Sequence, residues 1–282
     1  MTGKPDWLRV PYYDEKESAY ISDMLGELRL NTVCEEAACP NRSECYSNKT
    51  ATFLILGKTC TRKCSFCNVS SGHPSPVDGD EPQRIAEAVR RLNLAYVVIT
   101  SVTRDDLADG GGSHFASVIS SIKKVSPKTK IEVLIPDFGG DYDSIKTVAD
   151  AAPDVISHNI ETVASLYESV RSGADYKRSL GVIEGVTNFG GTIHAKSGIM
   201  VGLGETYDEV IETFDDLRKV GCEFLTIGQY LSPTKSHYPV YEYITPEMFD
   251  KYADIARQKG FLHVASGPFV RSSYHADKAF ED

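Results

Sequence analysis

The chain has 282 residues, 41% hydrophobic and 25% charged, with 22 Gly and 13 Pro. This is ordinary globular composition and excludes a disordered, collagenous or coiled-coil protein. A fold of this length buries roughly three quarters of its extended-chain surface and needs no disulfide staples. The formal net charge of −10 argues against a nucleic-acid partner, whose phosphates call for a basic surplus. The longest apolar runs, at 53–56 and 95–99, fall far short of the ~20 residues of a membrane span. Residues 1–13 carry Asp, Arg, Lys and Pro where a signal peptide would be apolar. The expected compartment is the cytoplasm.

Residues 1–50 lie outside any regular pattern and are expected to form an N-terminal cap. They hold Cys34, Cys39 and Cys45, spaced Cys-x4-Cys-x5-Cys. From spacing alone this suits an iron–sulfur cluster or a zinc staple. A strand is expected at 52–56, and just beyond it Cys60, Cys64 and Cys67 form Cys-x3-Cys-x2-Cys. Active sites of parallel α/β folds occupy the C-terminal ends of strands, so this placement suits chemistry. Three thiolates can ligate three irons of a 4Fe–4S cube and leave the fourth open to a substrate. The rival here is a structural zinc site, which would need His73 as fourth ligand. Only Cys222 stands apart from the six clustered cysteines, as a small buried hydrophobe. Clustered cysteines in a cytosolic chain are metal ligands or catalytic thiols more often than disulfides.

Further strands are expected at 94–100, 131–135, 154–157, 192–201 and 223–227. Helical spacing occupies 82–92, 113–125, 142–151, 163–170, 178–188 and 206–220. Thr206 with Glu209 predicts a capping box, and Gly221 a helix stop. A further helix at 246–258 and strand at 261–265 would make a seventh unit. Strand–helix alternation means βαβ units and a parallel sheet, doubly wound or a partial barrel. Asn159 and Glu161, beyond the fourth strand, suit ribose hydroxyls or a helix cap. Arg171 suits a carboxylate or a solvated helix end. The Gly-rich loops at 109–112 and 202–205 are plain turns or backbone-rich approaches to a ligand.

The motif at Cys60, Cys64 and Cys67 resembles the radical S-adenosylmethionine enzymes. That resemblance implies a methionyl group chelating the open iron, a 5′-deoxyadenosyl radical, and Phe66 and Asn68 facing the adenine. Together with the cap cysteines, 50–57, 98–111, 158–162, 171–176, 196–206, 225–231 and Arg271-Ser272-Ser273-Tyr274-His275, it resembles the lipoyl synthase family. The resemblance implies a partial (β/α)6 barrel at 51–260, with the cap at 1–50 and a C-terminal closing segment at 261–282. It implies sulfur insertion at carbons 6 and 8 of an octanoyl-lysyl carrier domain. The cofactors would be two 4Fe–4S clusters and S-adenosylmethionine. The second cluster, the sulfur donor, would be held by Cys34, Cys39, Cys45 and Ser273. Implied partners are acyltransferase subunits of 2-oxoacid dehydrogenases, the glycine cleavage H-protein, and a flavodoxin or ferredoxin. The cap and Ser273 motifs disfavour a sulfur-inserting enzyme of the biotin synthase type. An open iron on a whole barrel disfavours a plain electron carrier.

Overall fold

The computed structural model describes residues 4–9, 15–47 and 51–280. Thr50, which opens the 50–57 run, and parts of the cap (1–3, 10–14 and 48–49) lie outside the described residues, as do 281–282. The cap contributes α1 (Glu15–Glu27), β1 (Asn31–Thr32), α2 (Val33–Glu36) and α3 (Arg42–Ser47). Then follow β2 (Thr52–Ile55), the short β3 (Thr59–Cys60) and β4 (Ser70–Ser71), α4 (Glu81–Leu92), β5 (Tyr96–Ser101), α5 (Gly112–Val125), β6 (Lys130–Leu134) and α6 (Tyr142–Asp150). The rest comprises β7 (Val155–Ser157), α7 (Tyr167–Val170), α8 (Tyr176–Phe189), β8 (His194–Val201), α9 (Tyr207–Lys219), β9 (Phe224–Gln229), α10 (Pro246–Gln258) and β10 (His263–Gly267).

The main sheet runs β1-β2-β5-β6-β7-β8-β9-β10. Every pair is parallel except β1 with β2. Strands β1 and β10 are its two edges, so the barrel stays open. The seventh unit is present: His263–Gly267 pairs along Phe224–Gly228 of β9, so the parallel run has seven strands where the (β/α)6 reading has six. This β10 begins two residues later than the expected 261 and belongs to the sheet before the chain turns back over the cap.

Local chemistry explains the elements. Thr206 accepts from the Glu209 amide while the Glu209 carboxylate accepts from the Thr206 amide, the reciprocal cap expected there. Asp175 caps α8, which starts two residues before the expected 178. The expected helix at 163–170 shrinks to a 3-10 turn (Ala164–Leu166) and the single turn of α7. On one face of the strands Ile99, Ile131, Val133, Ile156, Leu225 and Ile227 are wholly buried with Val89, Phe115, Ile119 and Phe214 of the helices. Each such side chain contributes ~1.5–3 kcal/mol relative to exposure. The opposite, concave face mixes apolar and charged groups: Val98 and Val155 flank Glu132 in register, and Lys196 of β8 reaches across β7 to Glu132 of β6 at 2.8 Å.

Candidate functional site

Strand β2 ends in a sharp turn, with Leu56 at φ +65° and Gly57 at φ +91°. Two groups pin it: buried Glu81 accepts from the Leu56 amide (2.9 Å), and Arg104 donates to the Leu56 carbonyl (3.2 Å). The chain leaves this turn into the loop that holds Cys60, Cys64 and Cys67, with β3 and β4 closing its base. Cys60 Sγ accepts from the amides of Arg62 (3.4 Å) and Thr103 (3.3 Å). The Cys67 amide donates to the Cys64 carbonyl (3.2 Å), which turns both side chains off one short arc. All three thiols are free. Burial pushes Cys64 up to about 11 and Cys67 up to about 12, so a metal ligating them must displace protons. Phe66 packs against Val170, Leu203 and Tyr230. Asn68 donates to the Glu36 carbonyl in the cap (2.9 Å), joining loop and cap.

Beyond β7 the backbone turns at Glu161 (φ +65°) and bridges to Ile199. Asn159 Nδ2 donates to Glu161 Oε1 (3.1 Å). Burial pushes the Glu161 carboxyl above its usual range, against the nearby Arg171 charge. Neither side chain caps the following turn, whose N-cap is Val163 with no side-chain bond. Arg171 is not a solvated helix end either. Its Nη1 donates to the Asn159 carbonyl (2.9 Å), Tyr167 Oη (2.8 Å) and Ser179 Oγ (3.1 Å). Burial, aided by Arg171, pulls adjacent His158 down to about 3.

Four buried polar atoms at these strand ends lack a partner among the described residues: Ser101 Oγ, Ser157 Oγ, Asn159 Oδ1 and Thr162 Oγ1. Orphaned groups of this kind cost free energy unless a ligand satisfies them. A Cβ on Gly198 would lie 2.6 Å from Thr226 Oγ1 and 2.8 Å from Asn159 Oδ1, so glycine keeps this mouth open. Free thiols beside unsatisfied polar atoms and a half-buried carboxylate fit a thiolate-ligated cluster with a polar organic cofactor.

In the cap, Cys34 is buried and Cys39 and Cys45 half-buried, all free. Burial, with repulsion among the three, pushes Cys34 up to about 11 and Cys45 up to about 12. Thr52 lies beside Cys34 and donates its hydroxyl to Ser273 Oγ (2.8 Å). The far C-terminus therefore meets the cap cysteines. Further contacts hold it: Asn41 Nδ2 to the Phe269 carbonyl (2.7 Å) and Tyr274 Oη to the Glu44 carboxylate (2.9 and 3.0 Å). Among the described residues no three Cys, His, Asp or Glu groups converge as on a single ion; a cube spreads its ligands over separate iron corners.

The model of the Radical SAM superfamily matches residues 54–217. Lipoyl synthase of Caldicellulosiruptor saccharolyticus is 58% identical over 278 residues, 99% of this chain and 98% of that one. Lipoyl synthase of Geobacter metallireducens is 54% identical over 273 residues, 97% and 96% of the two chains. The chain belongs to the lipoyl synthase family of the radical SAM superfamily. The fold agrees: methylornithine synthase superposes with a TM-score of 0.56 at 12% identity, covering 96% of this chain and 85% of that one. Membership brings a 4Fe–4S cluster and S-adenosylmethionine as cofactors.

Within this family site, each Gly-rich loop has a carboxylate that bonds the loop's own amides. Asp109 accepts from the Gly111 (2.9 Å) and Ser113 (2.8 Å) amides, and Glu205 from the Gly202 and Leu203 amides. Several site residues carried no signal of their own in sequence: Thr52, Glu44, Gly198, and the Asp105 and Asp137 that grip Arg62. Carboxylates just past β5 and β6 were the available cue.

Proposed function

We propose that the chain inserts two sulfur atoms into an octanoyl group carried on a lysine of a lipoyl carrier domain. Cys60, Cys64 and Cys67 would hold the radical-generating cluster, and Cys34, Cys39, Cys45 and Ser273 the sulfur-donating one. When bound, these groups and S-adenosylmethionine supply a hydrogen-abstracting 5′-deoxyadenosyl radical and the sulfur. Asn159 and Glu161 would bind the ribose hydroxyls, with the orphaned Asn159 Oδ1 free to accept. Arg171, fixed by Tyr167 and Ser179, would orient the cofactor's carboxylate. Phe66 would cover the adenine and exclude water, with Asn68 at its edge. Residues 1–50 then serve as cap, 51–260 as barrel and 261–282 as the closing segment.

The observation that supports this reading best is the contact of Ser273 with Thr52, which lies beside Cys34. Cysteine is a soft iron ligand and serine oxygen a harder one, so a serine-held iron is the one to leave when a cluster opens. The substrates would be acyltransferase subunits of 2-oxoacid dehydrogenases or the glycine cleavage H-protein, with a flavodoxin or ferredoxin as electron donor.

The test separates the two cysteine sets. Replacing Cys60, Cys64 and Cys67 by Ala should abolish adenosylmethionine cleavage. Replacing Cys34, Cys39 and Cys45 by Ala should leave cleavage measurable and stop sulfur insertion. Lipoyl product from the second variant would refute the donor role. Anaerobic iron and sulfide analysis should give about eight irons for two cubes; four irons and one zinc would refute it too.

A further inference from the structure

Arg62 lies between Cys60 and Cys64, and two carboxylates from other strand ends grip its guanidinium. Asp105, beyond β5, accepts from Nε (2.9 Å) and Nη2 (2.6 Å). Asp137, beyond β6, accepts from Nη1 (2.9 Å) and Nη2 (2.8 Å). Two-pronged guanidinium–carboxylate pairs are strong and directional, and a lysine cannot reproduce them. Asp137 is wholly buried. Burial pushes its carboxyl up, but the bonds from Arg62 outweigh this and hold it below the usual range. Thr61 adds two stitches, its amide to the Thr103 carbonyl (3.0 Å) and its hydroxyl to Asp105 (2.8 Å).

The clamp joins the two backbone segments whose amides converge on one sulfur. Arg62 N lies 3.4 Å and Thr103 N 3.3 Å from Cys60 Sγ. Hydrogen bonds to ligand sulfurs help set the potential of an iron–sulfur cluster. Each donor stabilises the extra negative charge of the reduced state more than it does the oxidised one. The guanidinium's own charge is balanced by two carboxylates, so its leverage is geometric.

We propose that Arg62 is a positioning residue that, through Asp105 and Asp137, holds the amides of Arg62 and Thr103 on the Cys60 sulfur and thereby raises the reduction potential of the cluster ligated there. This rests on the reading of Cys60 as a cluster ligand. The clamp neither donates nor accepts an electron; it sets how readily the external one-electron donor reduces the cluster.

The test is a potentiometric titration with dithionite, followed by electron paramagnetic resonance, on the reconstituted holoenzyme. Variants Arg62→Lys, Asp105→Asn and the double variant are compared with the parent at matched iron and sulfide content. Arg62→Lys keeps the charge but loses the fork. Each single variant should make one-electron reduction about tenfold less favourable, a shift of ~59 mV to more negative potential. The double variant should add little, because both changes open one clamp. Amide hydrogen exchange at Arg62 and Thr103 in the cluster-free chain should also quicken. An unchanged potential in the loaded variants overturns the proposal. Should a variant fail to take up iron, faster exchange at the two amides supports it and unchanged exchange overturns it. Cys60→Ala is the separate control: if a reducible radical cluster persists in it, the ligand reading fails and not the clamp.

Discussion

At the scale of single residues, a missing side chain shapes the strand-end mouth proposed for the cofactor. Gly198 sits where a methyl group would press on Thr226 Oγ1 and Asn159 Oδ1 at less than van der Waals separation. Its neighbours cannot retreat freely, since the Asn159 carbonyl accepts from Arg171 and its amide holds Glu161. Gly198→Ala should therefore swing Asn159 and Glu161 out of register while the cysteines stay in place. Adenosylmethionine affinity of the cluster-loaded enzyme, read by calorimetry, should fall about tenfold, the worth of one well-made hydrogen bond. Overpacking should cost a further ~1–3 kcal/mol of stability. Equal affinity for parent and variant would show that the ribose lies elsewhere. Asn159, Glu161 and Arg171 were legible as candidates because polar groups at strand ends are where parallel sheets bind ligands. Gly198 was not, because a glycine inside a strand gives no local hint of what its absent Cβ would strike. Arg62 was hidden for a related reason: its meaning lies in Asp105 and Asp137, distant in sequence.

At the scale of elements, the C-terminal segment is the part that joins cap to barrel. It leaves β10, turns at 268–270 and crosses the sheet so closely that a Cβ on Gly228 would lie 2.1 Å from the Val270 carbonyl oxygen. The Asn41–Phe269, Thr52–Ser273 and Glu44–Tyr274 bonds then fix it to the cap. Because only one of these bonds uses Ser273, removing its hydroxyl should leave the segment docked. Ser273→Ala is expected to bind nearly the parent iron content but to lose about one iron from the second cube, with greatly reduced lipoyl product. Ser273→Cys should keep every iron and still insert sulfur poorly, because the softer ligand holds its iron more firmly. Ser272→Ala should be much milder. Mössbauer spectra and product yield distinguish the three, and a fully active Ser273→Ala enzyme would end the assignment. The two cysteine motifs were plain in sequence, since the spacing of cysteines within one short segment is local. Ser273 came only from family resemblance, because a lone serine acquires meaning through a return of the chain that no local pattern encodes. A parallel sheet likewise followed from the βαβ alternation, whereas its sequential strand order did not, because alternation alone suits a doubly wound sheet as well as a partial barrel.

For the molecule as a whole, the open barrel divides into a chemical end and a structural end. The strand ends and the loops after them carry Cys60, Cys64, Cys67 and the orphaned polar atoms, while the concave face below holds an ion pair. Lys196 and Glu132 are 4% and 1% exposed, and both Glu132 oxygens accept from Nζ (2.8 and 2.9 Å). Tyr96 donates its hydroxyl to the same carboxylate (2.6 Å). The group ties β5, β6 and β8 together across β7, and Phe280 packs on Tyr96 to seal that end. Charges so placed cannot serve a cofactor at the strand ends, and features at that end of a barrel read as stability. Breaking one partner should then be severe: Glu132→Gln leaves a buried ammonium uncompensated, at a cost of ~3–5 kcal/mol. That is a large part of the roughly 5–15 kcal/mol typical of a folded domain. Replacing both, Glu132→Leu with Lys196→Met, removes the buried charges together and should recover most of the loss. Urea unfolding of the cluster-free chain measures all three proteins without interference from iron. A double variant as unstable as Glu132→Gln, or a single variant losing under ~1 kcal/mol, the scale of a surface pair, would mean that the ion pair is not what holds the strands together there.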